Sequence, residues 1–189
     1  MRGWRCVALN LRGCNGVLLT SPKVYCAASS EDVRAAVNAA RAQFPAAPIL
    51  LAGYSLGTYI IGTYLAEEDS KHGGDSGAAV GRNGVAGAVL ISCPLDPHSS
   101  HAGLRDPSRP AGMAYNSAIA SELRRYFLKH KEVVGEHPDV HDGLELSDLR
   151  NIQDFEKALI IKTHGFADLE EYYEYISPAR LIPWWGCAG

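Results

Sequence analysis

Up to Asp96 the apolar positions alternate between short uninterrupted runs and runs spaced three and four apart, and beyond it a polar loop gives way to helical spacing. Trp4-Arg5-Cys6-Val7-Ala8-Leu9 reads as a short buried strand, and Asn10-Leu11-Arg12-Gly13-Cys14-Asn15-Gly16 supplies glycines for a sharp exit into a loop. Ser29-Ser30-Glu31-Asp32 offers a cap with early acids, and Val33, Ala36, Val37 and Ala40 recur at helical spacing, which predicts a helix to about Phe44, before Pro45. Pro48-Ile49-Leu50-Leu51-Ala52-Gly53 is uninterrupted and apolar, as in parallel strands buried on both faces. From Leu56 the residues Ile60, Ile61, Tyr64 and Leu65 return to helical spacing, closed by Glu67-Glu68-Asp69. A Gly, Ser and Asp-rich surface insertion, Ser70 to Gly84, precedes a third strand, Ala86-Gly87-Ala88-Val89-Leu90-Ile91-Ser92.

Strands alternating with helices predict an α/β fold with a parallel sheet flanked by helices. Pro97 to Pro110 reads as a polar loop. Ser117 to Val134 reads as an amphipathic helix with Ile119, Leu123, Tyr126 and Phe127 inward, and two further helices are expected at Asp148–Leu159 and Leu169–Ile176, the latter ended by Pro178. The organisation is one domain over 1–189: a sheet core at 1–96, then a helical cap segment at 97–178 that lies over the sheet edge.

Composition narrows the partners. A hydrophobic fraction of 47% and a charged fraction of 21% suit a globular domain with a core, and a net charge of -3 lacks the basic footprint that nucleic acid favours. Five cysteines without a C-x-x-C pair indicate neither a disulfide framework nor a zinc knuckle and fit a reducing compartment. No apolar run reaches the ~20 residues that span a bilayer.

Chemistry concentrates where the second strand meets its helix. Gly53-Tyr54-Ser55-Leu56-Gly57 is a G-x-S-x-G nucleophile elbow, a strained strand-to-helix turn that lifts the serine hydroxyl above the sheet. Gly53 and Gly57 let strand and helix approach without a β-carbon clash, and the Leu56 N–H at the helix N-terminus is placed to hold an oxyanion. Ser55 is the expected catalytic nucleophile, and the reaction class is acyl transfer to serine and then to water.

Several separated motifs resemble one family, the YheT-type α/β-hydrolases, which include plant embryogenesis-associated proteins and animal α/β-hydrolase-domain lipases. They are Asn10 to Gly16, similar to N-x-R-G-C-x-G; the elbow; the exit Pro94-Leu95-Asp96-Pro97; and the tail from Ile152-Gln153-Asp154-Phe155-Glu156 through Gly165-Phe166 to Tyr172-Tyr173 and Ser177-Pro178. The resemblance covers Gly3 to Pro178. It implies a partial α/β-hydrolase fold and a carboxylic ester hydrolase acting on acylglycerols, phospholipids or short-chain esters, with a Ser-Asp-His triad and no metal or organic cofactor. The family places its acid after a strand starting near Leu181-Ile182-Pro183 and its histidine further on, so this chain reads as a fragment carrying only the serine of the triad. Many relatives bear an N-terminal membrane segment, so the implied location is cytoplasmic or membrane-associated through that region.

Other polar residues take plainer readings. Asp96, with His98 and His101 behind it, is expected to cap or pin the cap loop rather than to form a substitute triad. His137, Asp139, His141 and Asp142 read as a solvated loop, because Pro138 forbids a regular ligand face. His164 is read as structural, and His72 and His130 as surface residues. Arg124, Arg125, Lys129 and Lys131 give the cap helix a basic face, and Trp184 and Trp185 sit at a chain end outside the family pattern. Two functional readings stand: a serine esterase, or a catalytically inactive fragment that binds lipid or a partner. Transfer to an alcohol instead of water is a third outcome of the same fold.

Overall fold

The computed structural model describes residues 3–71, 84–141 and 143–181. Helix α1 (Ser30–Gln43) leads to strand β1 (Ile49–Tyr54), helix α2 (Leu56–Lys71) and strand β2 (Val85–Ile91). The two strands run parallel in the register Leu51↔Ala88 and Gly53↔Leu90, the only sheet among the described residues, with α2 as the crossover. Glu31 and Asp32 complement the positive end of α1 and Arg41 its negative end. Val33 and Val37 on α1 pack with Ile60 and Tyr64 on α2 and with Val85, forming a small core against the sheet. Arg34 ties the two helices together by ion pairs to Glu67 and Glu68.

Two expectations for the sheet are corrected. Trp4–Leu9 is not a strand: among the described residues no ladder partner accepts it, and Trp4 and Val7 are exposed at 68% and 72%. A run of apolar residues reports affinity for a core, but a strand exists only where a neighbour takes its backbone hydrogen bonds. Nor is β1 covered on both faces. Leu50 and Tyr54 are exposed while Ile49 and Leu51 pack on the helices, because among the described residues both α1 and α2 pack on the Ile49 and Leu51 side.

The segment after β2, expected as the cap, comprises α3 (Pro97–Arg105), α4 (Pro110–Gly135), a 3₁₀ turn (Leu146–Asp148), α5 (Ile152–Phe155), a π-helical segment (Glu156–Ile160), α6 (Ile161–His164), α7 (Leu169–Ile176) and α8 (Pro178–Leu181). Pro97 to Pro110, expected as a loop, is therefore mostly helix. Pro97 stands at the start of α3, where its missing N–H costs nothing, and Asp96 caps that start by accepting from His98 N at 2.9 Å. Pro178 begins α8 after Ser177 has ended α7. Gly165, at φ +75°, ends α6 in the left-handed conformation that glycine adopts without penalty.

The larger core joins cap to sheet layer. Tyr126, Phe127 and Val134 of α4 meet Leu149, Phe155, Leu159, Tyr172 and Ile176, and the segment expected to be a plain loop supplies Leu19, Val24 and Cys26. That loop is buried because its polar backbone is satisfied: Ala27 N donates to the Tyr172 hydroxyl at 3.1 Å and Cys26 N to Ser29 Oγ at 2.9 Å. His164 is structural as expected, its Nε2 lying 2.7 Å from the Val24 carbonyl. His130 is not a surface residue. It is 4% exposed, with Nε2 2.8 Å from the Gly13 carbonyl, so a helix side chain pins the glycine turn from inside. Two members of the basic face are engaged similarly: Arg124 donates to the Leu149 carbonyl and Lys129 to that of Gly13. The bulk of the Gly/Ser insertion with His72, and Asp142, Trp184, Trp185 and Cys187, lie outside the described residues.

Candidate active site around Ser55

Ser55 is the single residue between β1 and α2. Its φ is +48°, a left-handed conformation that few non-glycine residues adopt, and the surroundings hold it there. Ser55 N donates to the Ile91 carbonyl at 3.1 Å, while its own carbonyl accepts from Thr58 N at 2.9 Å and Thr58 Oγ1 at 2.5 Å. With its backbone clamped by β2 and by a fully buried threonine of α2, Ser55 is exposed, and its hydroxyl has no hydrogen-bond partner among the described residues. Leu56 opens α2, so its N–H is among the helix donors that lack an intrahelical acceptor.

The two elbow glycines are not equivalent. A β-carbon on Gly53 would lie 2.7 Å from the Gly57 carbonyl oxygen, 2.8 Å from its carbon and 2.9 Å from Ile61 Cδ1. A β-carbon on Gly57 would meet nothing within 4 Å, so the expected clash relief at this second glycine is not seen among the described residues. The crowded atoms are Gly57's carbonyl group, whereas its α-carbon faces open space.

Ser55 borders a cavity of about 900 Å³ between the sheet end and the cap. Leu56, Leu104, Ile119, Leu123, Phe155 and Ile160 make much of its wall apolar, with Leu123 of α4 also packing against the larger core. Tyr59, His101 and Glu156 also reach it. The Glu156 side chain is buried, and desolvation pushes its carboxyl up to about 8 against the pull of a hydrogen bond from Tyr173. His101 is pulled down to about 4 by burial first, then by the charges of His98 and Arg105. Near neutral pH both side chains are therefore uncharged.

Sequence reasoning missed this pair. One signal was present: Ile152, Glu156, Leu159 and Thr163 share a helical stripe, so an acid stands where an inward apolar residue belongs. His101 and Asp96 do not form a substitute triad in this arrangement. Asp96 is spent on the start of α3, accepting from His98 N and Ser99 Oγ, while His101 stacks on Tyr173 at 4.9 Å. His137 Nδ1 accepts from Asp139 N at 3.2 Å in a local turn, and no cluster suited to a metal ion occurs among the described residues. No helix among them is long and apolar enough to cross a membrane.

A profile described as "Alpha/beta hydrolase family" matches residues 1–184. The chain is 31% identical over 177 residues to a monoacylglycerol lipase of Saccharomyces cerevisiae (strain ATCC 204508 / S288c), covering 92% of this chain and 36% of that protein. It is 29% identical to Phospholipase ABHD3 of Mus musculus, covering 95% of this chain and 40% of the relative. Against Embryogenesis-associated protein EMB8 of Picea glauca the identity is 27%, with 95% and 37% covered. The chain thus spans well under half the length of these relatives. No solved structure matches it.

Proposed function

The chain belongs to the α/β-hydrolase family, and on that premise we propose that it carries the nucleophile and part of the substrate pocket of a lipid-ester hydrolase. The observation that carries this reading is Ser55, held at φ +48° at the head of α2 with its hydroxyl unpaired beside an apolar cavity. Ser55 Oγ attacks the ester carbonyl, forming a C–O bond as its proton passes to a base, and the Leu56 N–H stabilises the oxyanion. The alcohol then leaves with a proton, and water cleaves the acyl-serine to acid and free enzyme. The resemblance assigns that base to a histidine further on than the strand at Leu181-Ile182-Pro183, and residues 179–189 of this sequence contain none. The relatives named lipase and phospholipase, together with the apolar wall, support an ester with a fatty acyl chain as substrate.

The test is labelling by a fluorophosphonate, which reacts only with an activated serine, and hydrolysis of p-nitrophenyl esters of increasing chain length. Labelling of wild type and none of Ser55→Ala is expected. Absence of both labelling and turnover in the full-length chain sinks the reading and leaves a lipid-binding or partner-binding role.

A further inference from the structure

The apolar cavity beside Ser55 contains one polar device that the ester chemistry does not use. At the start of the π-helical segment, Glu156 enters the cavity wall with its residue 6% exposed. Its Oε2 receives the Tyr173 hydroxyl at 2.5 Å. Its Oε1 faces His101 Nε2 at 3.6 Å, too far for a hydrogen bond between them. The His101 ring lies flat on Tyr173, 4.9 Å between centroids and 15° between planes, so the imidazole does not swing freely. π-helical insertions in α-helices cluster at functional sites, and a carboxyl taken into an apolar wall costs several kcal/mol if ionised. Holding Tyr173 in place would need only one of its oxygens.

Resting on the ester-hydrolase reading of Ser55, we propose that His101 and Glu156 form a substrate-binding pair that recognises a free hydroxyl on the ester, and so determine specificity. A hydroxyl oxygen set within hydrogen-bond reach of both groups closes the gap between them. It accepts from His101 Nε2–H and, able both to donate and to accept, pairs with Glu156 Oε1 whichever oxygen carries the carboxyl proton. Other groups fit less well. A bare hydrocarbon leaves both polar atoms without a partner, and a phosphate finds no buried cation here, since Arg109 at the cavity edge is 70% exposed and paired with Asp106. The uncharged state of both side chains near neutral pH favours a neutral partner. The hydroxyl has two possible sources, the alcohol part, as in a glycerol monoester, or a hydroxylated acyl chain.

The experiment compares kcat/KM for glycerol monooctanoate, ethyl hydroxyoctanoate and ethyl octanoate in the full-length chain, with melting temperatures measured alongside. Wild type is expected to favour at least one hydroxylated ester over ethyl octanoate by about 10-fold or more, and the favoured ester names the source. In His101→Phe, which keeps the stacked ring and removes the N–H, that ratio falls to about 1. His101→Gln restores a donor and recovers part of the ratio. A wild type that turns over all three esters without preference overturns the pair but not the hydrolase. An equal loss on all three esters in His101→Phe, with the ratio kept, also overturns it and makes the cluster a structural pin. A wild type that hydrolyses none and takes no fluorophosphonate overturns both readings.

Discussion

Alanine at the two elbow glycines should have opposite effects, although the G-x-S-x-G pattern treats them alike. At Gly53 the new methyl would sit 2.7 and 2.8 Å from the Gly57 carbonyl oxygen and carbon, which are backbone and cannot rotate away. Apolar contacts become favourable only from about 3.5 Å outward, so the start of α2 must back away from β1 by most of an ångström. Overpacking of this kind costs about 1–3 kcal/mol, which for a chain of this size lowers Tm by roughly 2–4 °C per kcal/mol. The same movement carries the Leu56 N–H and the Ser55 hydroxyl, so fluorophosphonate labelling should slow by more than about 10-fold. At Gly57, the second residue of α2, the methyl enters open space, and alanine gains about 0.5–1 kcal/mol of helix propensity over glycine. Gly57→Ala should therefore melt a few degrees higher, by roughly 1–4 °C, and label at the wild-type rate. Thermal melts followed by circular dichroism, with timed labelling on the same samples, make the comparison. Equal destabilisation by the two substitutions, or a harmless Gly53→Ala, would refute the packing argument.

Two further substitutions test the core and the buried acid. Gly13 holds φ +75°, and a β-carbon there would lie 2.5 Å from the Tyr126 hydroxyl, itself bonded to the Arg12 carbonyl; Gly13→Ala should cost about 2–4 kcal/mol, read as a shift in the urea midpoint. Glu156 titrates near 8 when folded against an ordinary 4.5, so between these pH values the folded chain keeps a proton that the unfolded chain has lost. Its burial is then harmless below pH 4.5 and lowers stability progressively as pH rises toward 8. Glu156→Gln should leave Tm unchanged at pH ~4 and raise it at pH ~8, by an amount worth a few kcal/mol at most. A variant whose Tm gain does not grow with pH contradicts the buried, neutral carboxyl.

The sheet-and-helix order was legible because periodicity reports which side of an element meets the core. Ser30–Gln43, Ile49–Tyr54 and Leu169–Ile176 fall within a residue or two of expectation. Periodicity does not report partners, and the misses share that cause. Trp4–Leu9 has strand-like content without a neighbour to bond among the described residues. Pro97 to Arg105 is polar and proline-bearing, yet a proline in the first turn and an aspartate cap start a helix as readily as they mark a loop. His130 looked superficial on a helix rich in charge, but its contact is a glycine turn over a hundred residues earlier, and no local pattern encodes that.

The site divides along the same line. The serine end is local, because a strand, a left-handed residue and a helix must follow each other in sequence to make the turn, so five consecutive residues announce it. The cavity is non-local: α3 brings His101, the π-helical segment brings Glu156 and α7 brings Tyr173, and none has meaning until the three pack together. Even so, Glu156 left a trace, an acid between Ile152 and Leu159 on one helical stripe. Such an acid must either be neutralised or be matched, because an unpaired charge in an apolar wall is too costly to keep. Burial answers the first demand by raising its proton affinity, and the second is answered by Tyr173 on one oxygen only. The oxygen left facing His101 is what would make this cavity a hydroxyl-selective pocket rather than a plain acyl groove.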